Sequence, residues 1–292
     1  MTETERASHP RPPGDTHYLL GHTAHELRRL DIQGDLYRDT TIRAFREAGI
    51  TAGMRVLDIG CGSGDVSVTV ADVVGPTGYV LGIDRGAEAI ATAREKADQR
   101  SLDHVQFEVS EISDFARPEE FDALVGRFVL MHQADPGAAL RGAAQSVRDG
   151  GVVVMLESFM DLLLTGAHSE PHSPLYHELV HFKSEVVRGA GADLGAGGRL
   201  RATFLEAGLP EPACRLEARL EGGPDSPYYD YVEQSLRSML PEARRIGLET
   251  YTEEDVEGMA DRLRDEVVAL RSSLVVWPVV AAWARIDRAA MG

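Results

Sequence analysis

Gly60, Gly62 and Gly64, spaced G-x-G-x-G, and Asp84 about twenty residues further on are the residues of this chain most suited to chemistry. Apolar Val56, Leu57 and Ile59 suit a buried parallel strand, after which the glycines let the backbone turn sharply and approach a ligand without a Cβ in the way. The run from Val66 to Val74 has the apolar density of a helix packed on a sheet, which sets the turn at a helix N-terminus with amides facing the ligand. Tyr79-Val80-Leu81-Gly82-Ile83 reads as the next strand and ends in Asp84, where a carboxylate accepts both hydroxyls of a ribose. The pattern predicts a site for an adenosine-containing ligand.

Asp58, two residues ahead of the first glycine, separates the candidates for that ligand. Dinucleotide sites space their glycines G-x-G-x-x-G around a pyrophosphate, beside which another carboxylate gains nothing. S-adenosylmethionine has no phosphate and carries a sulfonium and an ammonium, which a carboxylate favours directly or through water. On the residues Val56 to Asp65 with Asp84, the chain resembles the class I S-adenosylmethionine-dependent methyltransferases, whose first motif is a hydrophobic strand followed by D-x-G-x-G-x-G. The resemblance implies that Asp58, Gly60, Cys61, Gly62, Gly64, Asp84 and Arg85 hold the cofactor. It also implies that Glu111 accepts from the adenine amino group and Ile112 faces the ring, in the loop after a strand at His104 to Val109. Gly126 and Arg127, ending a strand that starts at Phe121, would offer backbone carbonyls to the methionine ammonium. Tyr18, Gln33 and Tyr37, on helices ahead of the first strand, are expected over the methionine carboxylate.

Gly126-Arg127-Phe128-Val129 stands where methyltransferases of DNA bases or glutamine amides carry an Asn/Asp-Pro-Pro-aromatic motif. That departure favours a small-molecule acceptor. The segment from Gln33 to Leu57, the phrase Val125 to Leu130, Glu157 and the ending Ala282-Trp283-Ala284-Arg285 resemble bacterial methyltransferases of the quinone-biosynthesis and natural-product types. Such enzymes include some that methylate carbon 3 of an indole, so the resemblance implies C-methylation of that kind first, with O- or N-methylation as the alternative. A carboxylate at the end of a buried strand is costly unless paired or put to use, so Glu157 is the first candidate to hold or deprotonate the acceptor. His132 is the second, with His168 and His172 behind it. Phe159, Tyr176, Phe182, Tyr228, Tyr229 and Tyr231 concentrate in segments expected to cover the site, which suits stacking on an aromatic acceptor.

Such a site needs an α/β scaffold: a Rossmann-like, seven-stranded, mostly parallel sheet with an antiparallel last strand, a helical N-terminal segment and helical lid insertions. Residues 1–17 read as a mobile polar start and 18–49 as N-terminal helices over the cofactor, with helical pattern in Thr23 to Leu36 and Tyr37 to Ala48. Residues 50–160 form the cofactor-binding core, with a helix at Leu140 to Val147, a break at Asp149-Gly150-Gly151 and a strand at Val152 to Leu156. Residues 161–198 are a lid insertion with a helix at Leu175 to Val187. The remainder, 199–292, holds a helix at Leu200 to Ala207, a strand at Ala213 to Leu220 and a helical lid section at 225–271 that breaks near Pro241 to Thr252. Leu274 to Ala284 closes it as one buried strand.

Composition narrows the partners. Two cysteines, one inside the glycine turn, make a disulfide framework improbable and point to a reducing cytoplasm. The start has no apolar stretch of signal-peptide type, and Leu274 to Ala284 is too short to span a bilayer, so no membrane is expected. A formal net charge of −17 repels a phosphate backbone, so nucleic acid is not expected either; a homodimer is allowed. Three other readings compete. His177-Glu178-Leu179-Val180-His181 matches the zinc-peptidase H-E-x-x-H, but three fixed positions arise easily by chance and no metal is expected. An NAD(P)-dependent oxidoreductase would share the sheet and Asp84 but not the glycine spacing. A non-catalytic cofactor-binding regulator would keep the first motif alone.

Overall fold

The computed structural model of the chain describes residues 24–166 and 168–289, so Tyr18 and the stretch 1–17 lie outside the described residues. A long helix α1 (Ala24–Ala48) leads into β1 (Arg55–Ile59), α2 (Asp65–Val74), β2 (Tyr79–Asp84), α3 (Ala87–Gln99) and β3 (Val105–Val109). Then come β4 (Phe121–Arg127), α4 (Pro136–Ala144) and β5 (Val147–Ser158). The main sheet has the order β3-β2-β1-β4-β5-β10-β7, where β7 is Ala213–Glu217 and β10 is Val279–Arg285. Strands β1 to β5 pair in parallel, and β10 runs antiparallel to both of its neighbours. The expected Rossmann-like sheet is therefore present, with its antiparallel strand inserted between β5 and β7.

Alternation along the strands builds two cores. Val56, Val80, Val125 and Val154 face one side, with α1 and α2, while Leu57, Leu81, Leu124 and Val153 face the other, with α4 and α6 (Ala196–Glu206). Near-continuous apolar strands are what a sheet covered on both faces requires. The β1, β2, β4 and β5 carboxyl ends fall along one edge, so Gly60, Asp84, Arg127 and Ser158 come together from distant parts of the chain.

A helical cluster stands over that edge: α1, α5 (Pro174–Gly189), α7 (Tyr228–Arg245) and, after the short α8 (Glu253–Val256), α9 (Met259–Leu270) pack together. Ser173 accepts from the Tyr176 amide to cap α5, ahead of Pro174 in the first turn. Four local expectations need correction. The helix expected to reach Val147 stops at Ala144, and Val147 already pairs with Phe121; Asp149-Gly150-Gly151 bulges within β5 because Gly150 takes φ +73°. Helix α7 continues through Pro241 to Arg245, since Leu236, Met239, Leu240 and Ala243 bury a face strong enough to outweigh one missing backbone bond. The final apolar stretch is two strands, because Pro278 interrupts it: β9 (Ser273–Val275) ends before Trp277 and β10 begins at Val279. Likewise Ala213 to Leu220 divides into β7 and β8 (Leu220–Glu221), and β8, β9 and β6 (Ser169–Glu170) form a small second sheet that the sequence reading did not foresee.

Candidate active site

Gly60 ends β1 at φ +60°, where a Cβ would stand 2.7 Å from Val129 Cγ2, so both the turn and the approach of the β4 loop demand glycine. Gly62 differs. At φ +54°, a Cβ there would meet nothing within 4 Å, so the missing side chain leaves an open cradle beside the backbone. The Cys61 amide donates to the Ile83 carbonyl at 2.9 Å, and the Gly64 amide to the Cys61 carbonyl at 2.9 Å, which closes the turn. Asp84 braces it from β2: Oδ2 accepts from the Gly62 amide at 3.0 Å and Oδ1 from the Gly86 amide at 2.8 Å. A carboxylate offers about four lone-pair directions, so Asp84 keeps acceptor capacity for a diol in the cavity it lines.

That cavity, about 1090 Å³ including its mouth, runs from the glycine turn to the helical cluster. Its wall near the turn is polar. Arg29 donates to Gln33 Oε1 at 2.7 Å, Arg127 donates to Thr41 Oγ1 at 3.1 Å, and Asp65 pairs with Lys96 at 2.7 Å. Burial pulls the Arg127 guanidinium below its usual range, while the charges of Asp65 and Asp58 work the other way. Its wall toward the cap is apolar and aromatic: Phe128, Met131, Met160, Tyr231, Met239 and Trp277. Tyr37 bridges the two, with its hydroxyl donating to the Trp277 carbonyl at 3.2 Å and its ring edge-on to Phe128 at 5.3 Å.

Of the residues expected from the sequence, Gly60, Cys61, Gly62, Asp84, Gln33, Arg127 and His132 line this cavity. The others stand elsewhere. A Cβ on Gly64 would meet Ala93 at 3.0 Å and Phe107 at 3.1 Å, so this glycine serves the packing of α2 on α3 and β3. Asp58 is buried below the turn, where Ser67 Oγ donates to its Oδ2 at 2.6 Å and burial pushes its carboxyl up to about 7. Arg85 and Glu111 are exposed and Ile112 is half-buried against the second core, outside the cavity wall.

Glu157 turns away from the position expected for an acceptor-facing group. It is fully buried, and its Oε1 accepts from the Val129 and Leu130 amides at 2.9 and 2.7 Å. Burial pushes its carboxyl up to about 7, against the amides that pull it down, and its Oε2 has no partner among the described residues. These amides follow Phe128, which sits at φ +60°, a conformation that costs a side-chain-bearing residue about 1–3 kcal/mol. Glu157 thus secures a strained loop that aims Phe128, Met131 and His132 into the cavity. His132 is half-buried there, and burial with the nearby Arg85 charge pulls its imidazole down to about 4, so it is neutral at pH 7.

His177 and His181 do share a face of α5, with rings 4.4 Å apart, and His177 Nδ1 lies 3.1 Å from His168 Nε2. Among the described residues, no three His, Cys, Asp or Glu side chains are grouped to hold a metal ion. Trp277, Arg29 and Asp65 were missed as site residues. Only Asp65, the first residue of the helix behind the glycine turn, carried a local signal.

Comparison with known proteins agrees with this fold. A methyltransferase-domain family matches residues 50–202, just over half of the 292. An uncharacterised 37.1 kDa protein of transposon Tn4556 from Streptomyces fradiae is 32% identical over 161 residues, 55% of this chain and 44% of that protein. Demethylmenaquinone methyltransferase of Staphylococcus aureus is 28% identical over 144 residues, 48% of this chain and 55% of that protein. The chain thus spans about half the length of the curated relatives it matches. In fold, it is similar to the YcgJ protein of Bacillus subtilis, with TM-score 0.56 and 16% identity, over 85% of this chain and all of that one. A phosphoethanolamine N-methyltransferase of Haemonchus contortus, solved with phosphomonomethylethanolamine and S-adenosylhomocysteine, superposes with TM-score 0.51 and 16% identity, over 86% of this chain and 53% of that one.

Proposed function

We propose, for a chain that belongs to the class I S-adenosylmethionine-dependent methyltransferases, that it transfers a methyl group to a small, aromatic acceptor. The observation that carries the reading is a single cavity joining a glycine cradle and Asp84 at one end to an aromatic wall at the other. The residues fit the cofactor. The open space at Gly62 accepts a ligand backbone-side, Asp84 has acceptors for a ribose diol, and Arg127 with Arg29 and Gln33 offers donors for a carboxylate. When bound, S-adenosylmethionine supplies a methyl group already activated on a sulfonium.

The protein's share of the work is therefore alignment. The β4 loop, held by Glu157, sets Phe128, Met131 and His132 between the cradle and the cap. Trp277, Tyr231 and the methionines Met160 and Met239 exclude water and offer flat and adaptable surface to a ring. His132, neutral at pH 7, can accept a hydrogen bond from an acceptor hydroxyl through a ring nitrogen, while burial disfavours its taking the proton outright. Nothing places the Glu157 carboxylate on the acceptor, so an indole N–H held by that group gains no support from this geometry.

The test is calorimetric titration with S-adenosylhomocysteine and, separately, NADH, repeated on Asp84→Ala. Binding of the first alone, weakened about tenfold or more in the variant, is expected, because Ala removes an acceptor from two turn amides and from the diol. Binding of NADH instead would revive the oxidoreductase reading. S-adenosylhomocysteine binding without transfer to any of a panel of phenols, quinols and indoles would favour a regulator.

A further inference from the structure

Leu216 is a large apolar side chain left 52% exposed on β7, the strand that ends the main sheet. Strand β7 pairs with β10 on one side only, so the backbone N–H and C=O groups of its far side have no strand beside them among the described residues. Such an edge is a template for a further strand unless something blunts it. No lysine, proline or bulge does so between Ala213 and Glu217.

The two faces of β7 differ. Cys214 and Leu216 stand opposite Ala282 and Val280, on the side of the second core and α6. Arg215 and Glu217 stand opposite Ala281 and Val279, on the side of α1. There Arg215 Nη1 lies 2.6 Å from Glu47 and 3.5 Å from Glu217, and Arg43 Nε lies 3.1 Å from the same Glu217. Both ion pairs of Arg215 go through Nη1, so among the described residues its Nε and Nη2 are open to another carboxylate.

The strand is complementary to itself. Two copies of a chain extend a sheet across a two-fold axis by pairing their edges antiparallel, and directly opposed residues then lie on the same face. The axis must therefore pass through a residue rather than between two. Centred on Arg215 it opposes two guanidinium groups, and centred on Glu217 it opposes two carboxylates and sets Arg215 against Arg219. Centred on Ala213 or Cys214 it runs Leu216 onto Pro210 or Pro212, neither of which has an amide hydrogen to give. Centred on Leu216 it sets each Arg215 against a Glu217 and one leucine against the other.

We propose that β7 is a homodimer interface, in which two copies of this chain pair their β7 strands antiparallel about Leu216, with Arg215 of each against the partner's Glu217. Each Glu217 then lies between Arg43 of its own chain and the partner's Arg215, and the two Leu216 side chains cover one another on the α6 side. No β7 residue lines the cavity, so each subunit keeps a complete site. The assignment is independent of the methyl-transfer reading.

The test is sedimentation velocity on the full chain over a dilution series up to roughly 100 µM, with a cross-linking arm that reads the register. Wild type is expected to dimerise. Leu216→Lys opposes two ammonium groups across the axis and is expected to weaken the dimer roughly ten- to hundredfold, while its far-ultraviolet circular dichroism stays that of wild type because the side chain is exposed. Directly opposed residues of an antiparallel pair have Cα atoms about 4.5 or 5.5 Å apart, within disulfide reach. Leu216→Cys, made in a Cys214→Ser chain, is therefore expected to give a covalent dimer on mild oxidation. Wild-type Cys214 is not, because in this register it faces the partner's Ala218, about 13 Å along the strand from the partner's Cys214. A wild type that stays monomeric throughout the series overturns the assignment and leaves the edge to a different protein. A dimer that survives in Leu216→Lys, or a Leu216→Cys dimer that does not cross-link, overturns it by placing the contact on another face. Cross-linking of wild type through Cys214 overturns the register.

Discussion

Replacing Glu157 by Gln separates the structural and the chemical account of the site most sharply. The native carboxyl is pushed from an ordinary 4.5 to about 7 by burial. A folded-state pKa above the unfolded one means that the group favours folding fully below about pH 4 and that this benefit is lost as pH rises through 7. One pKa unit is worth about 1.4 kcal/mol, so by pH 8 an ionised Glu157 costs the fold about 3 kcal/mol relative to its neutral form. Glutamine has the shape of the neutral acid, and its carbonyl oxygen can still accept from the Val129 and Leu130 amides. Urea denaturation of both proteins from pH 4 to 8 is therefore expected to converge at the acid end and to diverge steadily, with the variant more stable by about 3 kcal/mol at pH 8. Turnover is expected to stay within severalfold of wild type, because the loop that carries Phe128 and His132 keeps its anchor. Parallel pH curves would refute the linkage argument. A fall in turnover of a hundredfold or more, with S-adenosylhomocysteine affinity intact, would refute the positioning role and return Glu157 to proton transfer.

Two further substitutions probe the frame of the site. Gly60→Ala puts a Cβ 2.7 Å from Val129 Cγ2 on a residue at φ +60°, so a loss of about 1–3 kcal/mol in urea denaturation is expected, together with weaker S-adenosylhomocysteine binding. Tyr176→Phe removes a hydroxyl that touches the Tyr228 hydroxyl at 2.7 Å and donates to the Val275 carbonyl at 2.7 Å; the stranded buried groups should lower stability by about 1–3 kcal/mol while cofactor affinity stays unchanged. A Gly60→Ala protein as stable as wild type would remove steric demand as the reason for that glycine. A drop in cofactor affinity for Tyr176→Phe would mean that the cap and the cradle are mechanically coupled.

What the sequence made legible follows from how local each signal is. The glycine turn and Asp84 were readable because positive φ at Gly60, Gly62 and Gly64 constrains residue type within a few positions. The parallel strands were readable because burial on both faces leaves an apolar run in the sequence itself. Gly64 and Asp58 belong to the same motif, yet they face Ala93 and Ser67 rather than the cavity; a motif marks a conformation and does not say which of its side chains meets the ligand. Glu157 was chosen because a buried carboxylate must have a purpose. Its purpose lies 27 and 28 residues away in backbone amides, and a side chain bonded to backbone leaves no trace in the partner's residue types. Trp277 was hidden for a different reason: Leu274 to Ala284 reads as one strand, whereas the break at Pro278 divides it and frees Trp277 from both halves.

The same contrast bears on where specificity is encoded. Family resemblance covers the cradle, whose geometry depends on glycines and one acid near in sequence. The acceptor end is assembled from the β4 loop, α5, α7 and the link between β9 and β10, which meet only in three dimensions. Each of these segments contributes one or two side chains, so a single substitution there can alter the acceptor without disturbing the cofactor. Trp277 illustrates how such a wall works: its residue type is not informative alone, but its carbonyl meets the Tyr37 hydroxyl and it lines the cavity beside Tyr231. Cofactor and acceptor should then respond independently to mutation, the cofactor through Asp84 and the acceptor through Trp277, with additive losses when both are changed.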